Sequence, residues 1–234
     1  MNVIARCIEF CASLDPAFTA AMQGSSVADI AALEAAMAHP LSDIHREYLQ
    51  AMGEQPGTLA FGVYSTSPAL LVAERPRTLL RLATDVELFA IPIGDADGDV
   101  YLVGETPAVV RRFDDSDPAR PSEEVMAASI AELLCLPMLN RVYTTTQPLH
   151  ASFIERERRE DSLAHCQRIA ELFAFEPYWF STGQTLAARR GPLVLVAKQP
   201  PGSFLTVGLA GPEEFEWGVI TRTFERELEL KPFR

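Results

Sequence analysis

The sequence predicts an α+β protein built in two parts, and three observations carry that prediction. The stretch at 88–105, LFAIPIGDADGDVYLVGE, reads as two apolar strands joined by a short acidic turn. An Asp-Gly pair between apolar runs signals a hairpin, because Gly takes the positive φ that such turns need. Four β-rich runs, at 176–182, 184–189, 192–198 and 203–209, crowd together with Gly and Pro between them. Strands this close in sequence pair as an antiparallel meander. Helical spacing of apolar residues flanks both sets. The hairpin is therefore the spine of an N-terminal α+β domain at 1–137, followed by a linker at 138–150 and a C-terminal α+β domain at 151–234.

Taken in order, Val3, Ile4, Cys7, Ile8 and Cys11 fall at helical spacing over 2–13. Gly24 and Ser25 break the chain, and Ser26 is placed to cap a helix that carries Ile30, Leu33, Ala36 and Met37, with Asp29 as the acidic partner of the cap. Pro40 stops it. Ser42 or Asp43 starts a third helix, with Ile44, Tyr48 and Leu49 on one face. A short strand is expected at 59–63 and a short helix at 75–83. After the hairpin a strand at 108–113 ends in the acidic turn at 114–118. Ser122, Glu123 and Glu124 read as a helix start running to about residue 134, since carboxylates suit the positive end of the helix dipole. Residues 137–149 read as irregular. A long helix is expected over 151–173, then the meander, then a last helix opened by Pro212, Glu213 and Glu214. The C-terminal part is thus helix, four strands, helix.

Composition narrows the function. Residues 1–150 carry 20 acidic and 9 basic side chains, a balance of −11, and residues 151–234 carry 12 and 11, a balance of −1. An acidic surface argues against direct contact with nucleic acid, whose phosphates need a basic one. It suits a basic protein partner. No apolar run approaches the ~18 residues of a membrane span. The first residues lack the pattern of a signal peptide, so a cytoplasmic protein with no membrane contact is expected.

Chemistry-bearing motifs are sparse. Asp95, Asp97 and Asp99 invite comparison with a calcium loop, but an EF-hand starting at Asp95 needs Gly and Glu where Val100 and Thr106 stand, so an exposed acidic turn is the reading and no metal is expected. His39, His45, His150 and His165 are scattered, and Cys7, Cys11, Cys135 and Cys166 form no Cys-x-x-Cys pair; all four read as buried free thiols. Neither a nucleophile elbow nor a Gly-rich phosphate loop occurs. Asp114 and Asp115 are adjacent rather than spaced as an acid/base pair. Tyr178, Trp179, Phe180 and Trp217 read as core. No catalytic residue and no cofactor are expected, which favours a binding protein over an enzyme.

Against this background, Ile30, Leu33 and Glu34, then Leu41, Tyr48 and Leu49, then Phe89, Ile91, Ile93, Gly94, Gly98, Asp99 and Tyr101, and finally Val109, Val110, Asp114 and Asp115 occur in an order that resembles the SUKH superfamily over about residues 27–135. That superfamily takes in proteins similar to a fungal cell-wall-assembly regulator and many bacterial immunity proteins. The resemblance implies an antiparallel sheet flanked by helices and a non-enzymatic role: binding a toxin domain of a bacterial competition system and blocking its site. On that expectation Asp95, Asp97, Asp99, Asp114 and Asp115 contribute to the partner-binding face. A secretion chaperone or adaptor for an effector, or an enzyme of unrecognised type, are the alternatives, and a homodimer is compatible with the sequence.

Overall fold

The structure, a computed structural model, describes residues 2–59, 64–74, 86–93, 98–104, 107–112, 123–212 and 215–233. The chain is α+β and divides into two compact units, residues 1–135 and 136–234.

The first unit opens with α1 (Val3–Leu14), where the Asn2 side chain accepts from Ala5 N at 2.7 Å and Ile4, Cys7 and Cys11 turn inward. A two-residue strand β1 (Met22–Gln23) leads into α2 (Val27–Met37), whose Ser26 cap accepts from Asp29 N. α3 (Asp43–Met52) and β2 (Gln55–Pro56) follow, with β1 and β2 paired antiparallel. Then come β3 (Tyr64–Ser65) and α4 (Pro68–Glu74). The expected strand at 59–63 and helix at 75–83 fall largely outside the described residues.

The hairpin is present as β4 (Val86–Pro92) and β5 (Asp99–Val103), paired antiparallel with a register shift between Leu88 and Ala90. β6 (Ala108–Arg112) and β7 (Glu123–Ala127) complete a sheet ordered β3-β4-β5-β6-β7. Four consecutive residues of β4, Leu88 to Ile91, are buried, and so are Val100, Tyr101 and Leu102 of β5. Burial at successive positions means that both faces of the hairpin are shielded from solvent, as in a strand covered on two sides.

Residues 123–127 correct the expectation of a helix from Ser122. Glu123 and Glu124 lie opposite Arg112 and Arg111 across the β6–β7 ladder, and Arg111 bridges to Glu124. Opposite charges facing each other across strands stabilise the pairing. The helix starts later, as α5 (Ile130–Thr146). Ser129 Oγ accepts from Glu132 N at 3.1 Å while Glu132 Oε2 accepts from Ala128 N at 2.9 Å, a reciprocal cap.

The expected linker at 138–150 is also corrected. α5 runs through Pro137 to Thr146, and a strand begins at Leu149. Pro137 removes one backbone donor, but Leu133, Leu134, Leu136, Met138 and Leu139 around it are all buried, and that packing keeps the helix continuous. The division between units falls inside this helix.

In the second unit the expected helix at 151–173 is instead β8 (Leu149–Glu155), a charged loop, and α6 (Ser162–Leu172). β9 (Glu176–Pro177), β10 (Thr185–Arg190), β11 (Leu193–Lys198) and β12 (Thr206–Gly211) form the meander, followed by α7 (Phe215–Glu227) and β13 (Leu230–Pro232). The sheet order is β13-β8-β12-β11-β10-β9, antiparallel throughout. Gly191 has φ 55° at the first position of the two-residue loop between β10 and β11, where positive φ suits Gly. Cys166, Ile169 and Ala170 of α6 and Ile220 and Phe224 of α7 pack with Phe153, Leu186, Leu195, Val207 and Leu209 in one core. No described helix is long and apolar enough to cross a membrane.

Candidate functional site

The acidic residues singled out from sequence are placed unevenly. Asp95, Asp97, Asp114 and Asp115 lie outside the described residues. Asp99 is described, and it is buried at 9 % exposure with its Oδ2 accepting from the Tyr101 hydroxyl at 3.3 Å. The expectation of an exposed acidic turn therefore fails at Asp99, because the residue opens β5 inside the sheet instead of standing in the loop. The charge partition follows the fold. Residues 1–135 hold 20 acidic and 8 basic side chains, a balance of −12, while residues 136–234 hold 12 of each. Glu9, Asp43, Glu54 and Glu124 are exposed acids of the first unit.

A polar cluster unforeseen in the sequence sits where α2, α3 and β4 meet. Glu87 of β4 points at the start of α3. Its Oε1 accepts from Ser42 N at 2.6 Å, and its Oε2 accepts from Ser42 Oγ at 3.1 Å and from His45 Nδ1 at 2.7 Å. His45 is fully buried beside Phe89, with ring centroids 5.5 Å apart. Burial pushes the Glu87 carboxyl upward, but the hydrogen bond and charge of His45 and the two Ser42 donors outweigh it and hold the pKa below the usual glutamate range. Next to it, Glu34 accepts from Arg46 and from Leu41 N, and the Arg46 guanidinium lowers its pKa in turn. These groups tie α2 to α3 and α3 to β4. Each carboxylate is closed around its donors, which is the geometry of a structural staple.

The cysteines are buried and free, as expected. Three of the four converge: Cys7 and Cys11 from α1 meet Cys135 from α5, and Cys11 Sγ–H donates to Leu134 O at 3.8 Å. Contact with the Cys11 and Cys7 thiols, together with burial, pushes the Cys135 thiol upward. Cys166 is separate, in the second core, and burial raises it to about 12. Thiols this protonated are poor nucleophiles. Among the described residues no three His, Cys, Asp or Glu side chains are arranged to hold a metal ion. His150 lines a cavity of only about 30 Å³ with Asn140 and Tyr143, and neither His165, Cys166 nor any carboxylate joins it there.

The largest concavity among those described belongs to the second unit. It is an open groove of about 740 Å³ with α6 on one side and the loops at 178–184 and 199–203 on the other. Gln199 braces it, accepting from Leu163 N at 3.0 Å and donating to Arg159 O. Arg158 donates to Gly202 O at 2.9 Å, and Arg159 pairs with Glu229 at 2.8 Å. Tyr178 stands at the wall, stacked on Phe180 at 5.4 Å with the Arg189 guanidinium 5.9 Å from its ring centre. No spacing in the sequence announces this groove, since its mixed charged, polar and apolar lining comes from three stretches, 158–167, 177–186 and 199–203, that meet only in the fold.

Comparison with protein-family models, with curated proteins and with solved structures finds no match to this chain. The fold class stands on the geometry itself: an α+β protein with an antiparallel sheet in each unit.

Proposed function

We propose that the protein is a non-enzymatic, cytoplasmic binding module of the immunity type, which neutralises a toxin of a bacterial competition system by covering its basic site with the acidic surface of residues 1–135. The observation that carries this reading is the charge partition: a balance of −12 on one compact unit and zero on the other. A field of one sign on one unit steers a basic partner and raises its association rate by roughly 10–1000-fold over an uncharged pair. The order of motifs at 27–135 resembling the SUKH superfamily supports the same reading. Asp95, Asp97, Asp114 and Asp115 remain the proposed contact residues, joined by the exposed Glu9 and Asp43, while buried Asp99 leaves the set.

The test is co-purification with any toxin domain encoded beside the gene, followed by stopped-flow association at several salt concentrations. Charge reversal of those six acids slows association and flattens its salt dependence. Unchanged kinetics overturn the assignment. An effector chaperone draws less support. Phe204 and Val219 are 44 % and 39 % exposed, and apolar side chains exposed singly are ordinary on a folded surface.

A further inference from the structure

We propose that the groove of residues 136–234 binds an extended, uncharged segment of another polypeptide. The proposal uses a different surface from the acidic one and does not rest on the toxin reading. Four features of the groove argue for this occupant.

Its volume of about 740 Å³ lies in the range of sites that enclose a ligand. The charges on its lining balance: Arg159 pairs with Glu229, and the remaining cation, exposed Arg158, which bonds only the neutral Gly202 O, is matched in number by Glu160. A phosphate or an acidic chain would find no unengaged guanidinium pair to bind, so nucleotides and nucleic acid are poor occupants.

The aromatic wall is also engaged. Tyr178 lies against Phe180 and carries Arg189 at its ring, so it offers no open platform for stacking a sugar or a base. What remains to a ligand is amide chemistry. Among the described residues the Gln184 side chain makes no hydrogen bond, and Gln167 uses only its Nε2, toward Glu171. A side-chain amide both donates and accepts, which matches the alternating N–H and C=O groups of an extended backbone. Pro177, Pro200 and Pro201 add rigid apolar walls that lose little entropy on binding.

The fold supplies a clean test position. A Cβ added at Gly183 meets nothing within 4 Å, and its φ is not in the left-handed region, so Gly183→Phe fills the groove without straining the chain. Ala164, exposed on α6 and part of the lining, gives a second blocking variant, Ala164→Arg. The full-length protein is panned against a phage-displayed library of random heptapeptides, and the most enriched peptide is synthesised and titrated by fluorescence anisotropy. Circular dichroism checks that each variant is folded.

The expected result is enrichment of uncharged sequences whose affinity falls about tenfold or more in Gly183→Phe and in Ala164→Arg, a loss of about 1.4 kcal/mol or more. Affinity for the wild-type protein changes less than about twofold between low and high salt. The proposal is overturned if no sequence is enriched, if the enriched sequences are charged, or if both folded variants bind as well as the wild type. Competition by neutral oligosaccharides that do not resemble a peptide also overturns it.

Discussion

Glu87 is delivered by a β-strand to the first turn of a helix, and there it receives three hydrogen bonds, two from Ser42 and one from His45. A carboxylate at a helix N-terminus also meets the positive end of the dipole. Because its folded-state pKa is depressed, the stability it supplies is fully present above the unfolded value of about 4.3 and is lost as pH falls through the lower folded value. Replacing it with glutamine keeps the shape and removes the charge. Glu87→Gln is expected to cost about 1–3 kcal/mol at neutral pH, because a half-buried charge-assisted bond becomes a neutral one, and to flatten the acid limb of stability below pH ~4.5. Urea melts of both proteins at neutral and acid pH check this; equal slopes would remove Glu87 from the account. The thiols make a second residue-scale prediction. With Cys7, Cys11, Cys135 and Cys166 all at 1 % exposure or less, a water-soluble thiol reagent is expected to label none of them in the native protein within minutes and all four in denaturant. Rapid native labelling of any one would show that its core opens readily.

At the scale of elements, what the sequence revealed and what it hid have distinct physical causes. The β4–β5 hairpin was legible because its apolar strand residues, and a Gly98 at φ 79°, agree locally with the final fold. Two other segments misled. Ser122 followed by two glutamates resembles a helix start, yet the glutamates stand in register with Arg111 and Arg112 on the neighbouring strand, and Arg111 pairs with Glu124, an arrangement no local pattern shows. The true start, Ser129 with Glu132 three residues on, carries the capping signature itself. In β8, the inward row Ala151, Phe153, Glu155 ends in a carboxylate at 3 % exposure, so a charged letter hides the period of two. That carboxylate is accommodated by Ser162 Oγ–H and Leu205 N, the latter at 3.1 Å and contributed from 50 residues away. The Glu87 cluster and the groove were illegible for the same reason: their members meet only through tertiary structure. Removing the Ser129 cap leaves the Glu132 N–H without its side-chain acceptor, and Ser129→Ala is expected to lower stability by about 1 kcal/mol without altering the fold. Thermal denaturation followed by circular dichroism checks the size of the effect, and a variant as stable as the parent would mean that the cap is dispensable to α5.

At the scale of the whole chain, the two units differ in the work done against their own charge. A balance of −12 within residues 1–135 means mutual repulsion that opposes compaction, whereas residues 136–234 balance to zero. Mobile ions screen such repulsion once the Debye length, about 10 Å at 0.1 M, becomes shorter than the spacing between surface charges. Sodium chloride is therefore expected to stabilise the first unit selectively. Hydrogen exchange resolves the two, since each has buried strand amides that open only with its core. On raising the salt from about 0.02 M to about 0.5 M, the amides of Phe89, Tyr101 and Leu102 are expected to slow several-fold, while those of Leu195, Val207 and Leu209 stay within a factor of about two. Equal protection in both sets would mean that salt acts on burial in general and that the acidity of the first unit is too dispersed to repel itself. It would equally be too dispersed to steer a basic partner, so this measurement on the isolated protein bears directly on the proposed function before any partner is in hand.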